Sequence, residues 1–146
     1  MSAGLSRLGL GAGSTRPPHL ATVPFVATDP GGAGDPARLH RARVLQCALS
    51  RVCGVCAQTL DHPLHLVGTV AEADDNAYRL PPVHAACVAD VVAVLTAGDG
   101  DALGHPGAPD RQWVVVTTGG FDLVRPTTRT GLHLFRPNAV VERRAI

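Results

Sequence analysis

Cys53 and Cys56 enclose two residues, His84 and Cys87 enclose two more, and 27 residues separate the pairs. A C-x-x-C followed by an H-x-x-C offers three thiols and one imidazole. That is a donor set suited to borderline-soft Zn²⁺, in the number that closes a tetrahedral site. Four protein ligands leave no position for a substrate or an activated water. The expected cofactor is therefore structural Zn²⁺ held by Cys53, Cys56, His84 and Cys87, with no catalytic residues and no other cofactor-binding site.

Local context supports this pairing. A tight turn between Cys53 and Cys56 would aim both sulfurs at one ion, and Gly54 offers backbone freedom there. His84 and Cys87, three apart in the first turn of a helix, would project from one face, where the positive end of the helix dipole favours thiolate. Knuckle, hairpin, then a helix carrying the last two ligands is the order of a treble-clef zinc finger. Cys47 falls off the main stripe of its helix and reads as a small buried side chain. His62 and His65 lie between the ligand pairs and are the alternatives to His84.

A metal staple suits the rest of the composition. Aromatic residues make up 3% of the 146 residues, against 16 Gly and 12 Pro. The interior must be filled mainly by Val, Leu and Ala, which bury less area than rings do. Structural zinc can add on the order of 10 kcal/mol of folding free energy.

The order of elements predicts an α+β fold: a treble-clef-type finger with a preceding helix and a C-terminal antiparallel β-hairpin or meander. Residues 1–34 read as a mostly disordered Gly/Pro-rich arm, within which 22–27 can dock as an edge strand. A single zinc-stabilised domain covers 35–140, and 141–146 is a tail. Asp35-Pro36 is a helix start, and Leu39, Ala42, Leu45 and Leu49 form an apolar stripe over 36–50. Leu64–Val70 reads as a strand, Glu72–Asn76 as a polar turn, and Tyr78–Leu80 as the antiparallel return. A helix then runs from Val83 or His84 to about Ala97, with Val88, Val91, Val92 and Leu95 inward. Residues 98–110 read as a linker. Gly119-Gly120 between two β-prone runs, Trp113–Thr118 and Phe121–Val124, signals a hairpin.

Charge argues about partners. All 13 basic residues are Arg. Residues 1–60 hold six Arg against two acids, 61–110 hold Arg79 against eight acids, and 111–146 hold six Arg against two acids. The finger is acidic and its flanks are basic. No segment reaches the roughly 18–20 apolar residues that span a membrane, and no secretory signal is evident. A reducing cytoplasm is the expected location, because closely spaced cysteines there bind metal more often than they pair.

The chain therefore reads as a non-enzymatic binding or adaptor module with a protein partner, its oligomeric state left open. The first alternative is a nucleic-acid-binding accessory protein, with Arg38, Arg41, Arg43 and Arg51 on the phosphates. An acidic finger and few rings for stacking weigh against it. The second is a degenerate HNH-type nuclease built on Asp61-His62. There the Asp-His follows Cys56 too closely, and nothing after Cys87 supplies a helical partner.

Cys53-Gly54-Val55-Cys56-Ala57-Gln58-Thr59-Leu60 and Pro81-Pro82-Val83-His84-Ala85-Ala86-Cys87 resemble the C-x-V-C-G-Q-P-L and P-P-x-H-x-x-C motifs of a family of small zinc-binding proteins from actinobacteria and their phages. Val23-Pro24-Phe25-Val26 is similar to that family's P-W-F-V segment, and Trp113–Val116 and Gly131–Phe135 to its C-terminal strands. The similarity spans roughly 21–140, with only the ligand core specific. Ala57 and Thr59 depart from the family's Gly and Pro. The resemblance implies a zinc-bound fold and carries no activity with it.

Overall fold

The computed structural model describes residues 23–108 and 111–146, so the proposed arm lies outside the described residues up to position 22. The fold is mixed α+β. Its elements are α1 (Arg41–Ser50), β1 (Leu64–Thr69), α2 (Val70–Asp75), α3 (Val88–Leu95), β2 (Trp113–Thr118), β3 (Phe121–Val124), β4 (Leu134–Pro137) and β5 (Val140–Ala145). Short 3-10 turns at Phe25–Ala27 and Ala85–Cys87 complete it. No helix among the described residues is long and apolar enough to cross a membrane.

β2 is the centre of the molecule. It pairs antiparallel with β1 on one edge and β5 on the other, and β3 and β4 form a separate antiparallel pair. The run Trp113-Val114-Val115-Val116 is apolar without alternation because both of its faces are covered. Trp113 and Val115 enter one core with Val67, Leu80, Val83, Val91, Leu95 and Leu103, beside the cysteines. Val116 enters a second core with Val44, Leu66, Tyr78 and Phe135. The few rings are placed economically: Tyr78 and Phe135 are fully buried, and Phe121 tilts against Phe135 at 5.3 Å between centroids.

Several elements differ from the expectation. The sequence expects 22–27 as an edge strand; Phe25–Ala27 is instead a 3-10 turn, whose start docks on the knuckle through Phe25 N–H to Val55 C=O and Val26 N–H to Gly54 C=O, both 3.1 Å. The first helix begins at Arg41, not 36. The carbonyls of Pro36 and Ala37 accept from Leu103 N–H (2.8 Å) and Gly104 N–H (3.0 Å), so they are already engaged outside a helix. Its buried face is Val44, Cys47 and Ala48, while Leu49 is exposed. Arg43 explains part of the rotation, since its guanidinium lies over the Phe25 ring at 4.6 Å.

The expected linker is also structured as far as it is described. Ala102–His105 closes a tight turn, and Leu103 is driven fully into the core. Glu72–Asn76 belongs largely to helix α2, capped reciprocally by Thr69 and Glu72. β1 pairs with β2, so Tyr78–Leu80 is not its return strand; only a bridge between His65 and Val83 remains of that hairpin. Gly119-Gly120 does not turn β2 back on itself either, because both edges of β2 are taken. The diglycine hands the chain to the other sheet, where a Cβ on Gly120 would sit 2.9 Å from Asn138 Oδ1. The buried Thr118 hydroxyl pins this corner, donating to Gly120 C=O and accepting from Ala139 N–H. The antiparallel C-terminal strands are therefore present without being a sequential meander. Val140–Ala145 covers most of the expected tail and is strand β5.

Candidate metal centre

Residues 51–60 fold as a knuckle because their backbone groups satisfy one another. Cys53 N–H donates to Gln58 C=O (2.8 Å), Ala57 N–H to Cys53 C=O (2.9 Å) and Leu60 N–H to Arg51 C=O (3.0 Å). The left-handed position of this turn is Ala57, at φ 63°, and not Gly54. Gly54 instead ties the knuckle to its neighbours: its N–H donates to Pro82 C=O at 3.1 Å.

The second ligand pair reaches the knuckle through β1. The His65–Val83 bridge, closed by N–H···O contacts of 2.8 and 3.2 Å, carries the chain to His84. His84 caps a 3-10 turn in extended conformation, and Cys87 N–H donates to His84 C=O at 2.9 Å. The H-x-x-C thus occupies a 3-10 turn ahead of α3, with the helix proper starting at Val88. The two side chains still face one way.

All four expected ligands come together. The Sγ atoms of Cys53, Cys56 and Cys87 and a ring nitrogen of His84 lie within 4.8 Å of one another. His84 Nδ1 is 3.3 Å from Cys56 Sγ and 4.0 Å from Cys87 Sγ. Around a tetrahedral zinc with ordinary bond lengths, S···N separations are about 3.5 Å, between these two values. The orientation of the imidazole is fixed from its far side, where Nε2 lies 2.8 Å from Thr59 C=O. A carbonyl can only accept, so Nε2 is the donor there, and Nδ1 is the nitrogen on the side of the sulfurs. This arrangement supports a metal-ligating histidine.

Electrostatics point the same way. Burial pushes the Cys53 thiol up, against the pull of the N–H groups of Cys56, His84 and Val55. Burial, with the neighbouring Cys53 and Cys56 sulfurs, pushes Cys87 up as well. Three thiolates crowded in a partly desolvated space repel one another, and a divalent cation at their centre removes that repulsion.

The remaining candidates stand apart. Cys47 is fully buried in the core and does not join the group; burial, then the nearby Cys53, pushes its thiol up to about 12. His65 faces Thr117 Oγ1 at 3.2 Å. Asp61 and His62 are exposed and adjoin no second group of metal-ligating side chains among the described residues. Arg43 is held on Phe25 and donates to the carbonyls of Thr28 and Asp29, and Arg51 lies over the Phe121 ring at 4.9 Å. A cavity of about 840 Å³ lined by Asp29, Arg38, His40, Arg41 and Asp101 mixes both signs of charge and contains none of the four ligands.

Two features escape a reading of residue types alone. One is the Thr59 carbonyl, a backbone group with no signature. The other is the pairing of His105 with Glu72, whose Nε2 and Oε1 are 2.6 Å apart in the interior. Half of that pair was accessible, since Thr69-x-x-Glu72 has the capping-box pattern. Compared with protein-family models, curated proteins and solved structures, the chain matches none of them.

Proposed function

We propose that this chain is a zinc-stabilised, non-enzymatic binding domain of treble-clef type, acting as an adaptor toward a protein partner in the cytoplasm. The observation that carries the reading is the closure of the site: three sulfurs and one imidazole nitrogen converge, and His84 is oriented by Thr59. Cys53, Cys56, His84 and Cys87 would hold the ion, which would cross-link the knuckle to the 3-10 turn that leads into α3 rather than supply Lewis acidity toward a substrate. The treble-clef reading rests on the chain order knuckle, His65–Val83 bridge, then ligand-bearing turn and helix, with α2 inserted in the hairpin. The likeness to zinc proteins of actinobacteria and their phages is part of this proposal, resting on the two ligand motifs.

Nucleic acid is the weaker reading because Arg43 and Arg51 are engaged by Phe25 and Phe121, leaving Arg38 and Arg41 from the original four. The nuclease reading lacks neighbouring ligands around His62.

Cobalt substitution tests the closed site. Co²⁺-loaded protein should show the visible ligand-field bands of a tetrahedral thiolate-rich site, unchanged by added azide or cyanide. Bands that shift with those anions would reveal an open coordination position and argue for catalysis.

A further inference from the structure

β5 is an edge strand with both faces of its side chains in water. All six residues are exposed, and among the described residues no strand pairs with its outer edge. Four large hydrophobic side chains are exposed in the described structure: Leu49, Val140, Val141 and Ile146. Three of the four lie on or next to this one strand, with Val141 75% exposed. β5 sets the apolar Val140, Val141 and Ala145 around the charged Glu142, Arg143 and Arg144, so pairing at its open edge depends on how those charges meet.

The direction of the free backbone groups follows from the β2–β5 ladder. Ile146 N–H donates to Trp113 C=O at 3.0 Å, so it points toward β2. Antiparallel pairing alternates, hence Arg144 also points inward, and Ala145 and Arg143 turn their N–H and C=O groups outward. The irregularity between Thr117 and Thr118 leaves Val141 unpaired between Glu142 and Val140, so the regular alternation runs from Glu142 to Ala145.

We propose that this edge is a homodimer interface, in which two copies pair β5 with β5 antiparallel about Arg143 and join their sheets into one of six strands. A two-fold axis normal to a sheet sets one residue opposite its own copy, which leaves few registers. Centred on Glu142, the strands oppose Glu to Glu and give Arg144 no carboxylate opposite. Centred on Arg144, they oppose Arg to Arg with no carboxylate nearby in register. Centred on Arg143, Glu142 faces Arg144 of the second copy twice, and Val141, at the bulge, lies beside Ala145. The one like-charged pair in that register is Arg143 with Arg143, and each Arg143 carries its own counter-ion: Nη2 is 3.1 Å from Asp74 Oδ1. Arg143 then also presents outward N–H and C=O groups, as a hydrogen-bonded pair at the axis requires. Charge selects this register, and the alternation of backbone groups is compatible with it.

The full chain tests this by sedimentation across a micromolar concentration series. A reversible dimer is expected, and Glu142→Arg or Arg144→Glu alone should each weaken it about tenfold or more, by turning both attractive cross-strand pairs repulsive. Mixing the two variants should restore association as a heterodimer, since each then supplies what the other lacks. Hydrogen exchange of the wild type gives a reading that needs no variant to fold: the amides of Arg143 and Ala145 should gain protection as concentration rises. A monomer throughout the series, a dimer that neither substitution weakens, a mixture no stronger than its components, or concentration-independent exchange at both amides would each overturn the proposal.

Discussion

His105 Nε2 meets Glu72 Oε1 at 2.6 Å, and His105 is 3% exposed. The other ring nitrogen, Nδ1, faces the carbonyl of Leu103 at 3.0 Å, so both nitrogens face acceptors. The ring stands edge-on to Trp113, with centroids 5.1 Å apart. Glu72 also accepts from the N–H groups of Thr69 and Arg79. One carboxylate thereby joins β1, α2, the strand-like segment after it and the 102–105 turn.

This pair sets an acid limit on stability. Burial alone would push the Glu72 carboxyl up; the His105 hydrogen bond and charge, with the Thr69 and Arg79 N–H groups, outweigh it and hold it below its ordinary 4.5. A carboxyl depressed in the folded state contributes stability that is present above its unfolded value and lost as pH falls through the folded one. Glu72→Gln keeps the cap geometry and removes the charge. It should cost about 2 kcal/mol near pH 7, and the gap to the wild type should shrink below pH 4.5. Denaturant melts of both proteins at a series of pH values check this; a gap that widens in acid would contradict it.

Gly68 lies in the middle of β1 because Tyr78 crosses over it. A Cβ there would stand 2.6 Å from Tyr78 Cδ2 and 2.9 Å from Glu72 Oε1. Tyr78 is fully buried in the second core and has no room to retreat. Gly68→Ala should therefore destabilise by about 1–3 kcal/mol, an overpacking cost. Equilibrium unfolding in urea should show a lower midpoint with an unchanged slope.

In the knuckle, the backbone demand for glycine sits at Ala57, at φ 63°. Ala57→Gly should relieve left-handed strain and stabilise by about 0.5–1 kcal/mol, raising the melting temperature by about 2–4 °C. Gly54→Ala should be close to neutral, as its Cβ would make ordinary contact with Pro81 at 3.4 Å. Thermal melts of the metal-loaded proteins compare the two; the opposite order would show that the turn strain lies at Gly54.

The convergence of Cys53, Cys56, His84 and Cys87 was legible in the sequence because its signal is local: two pairs of side chains able to coordinate at fixed short spacing, each on a turn. The strands Leu64–Thr69 and Trp113–Thr118 were legible for the same reason, as runs of β-prone residues. Pairing was not. Gly119-Gly120 reads as a hairpin only if β2 has a free edge beside it, and that depends on β1 and β5, which come from far along the chain. The start of α1 was lost to Leu103 and Gly104, whose N–H groups take the carbonyls of Pro36 and Ala37 from 67 residues away in each case. Periodicity alone did not choose between the Leu49 and Val44 faces; Val44 packs against Leu66, Tyr78, Val116 and Phe135, and Arg43 lies over Phe25, and these contacts come from distant segments. His105 sits in a Gly/Asp/Pro stretch whose composition says loop; its burial follows from Glu72, 33 residues earlier.

Zinc content measured together with unfolding tests whether a metal at these four residues holds the fold together. Purified protein should carry one zinc per chain, bound by Cys53, Cys56, His84 and Cys87, and should melt cooperatively. Removing the metal with a strong chelator, or replacing Cys56 by Ser, should abolish that cooperative transition, because on the order of 10 kcal/mol of folding free energy leaves with the ion. Zinc-free protein that still melts cooperatively at the same temperature would contradict the account.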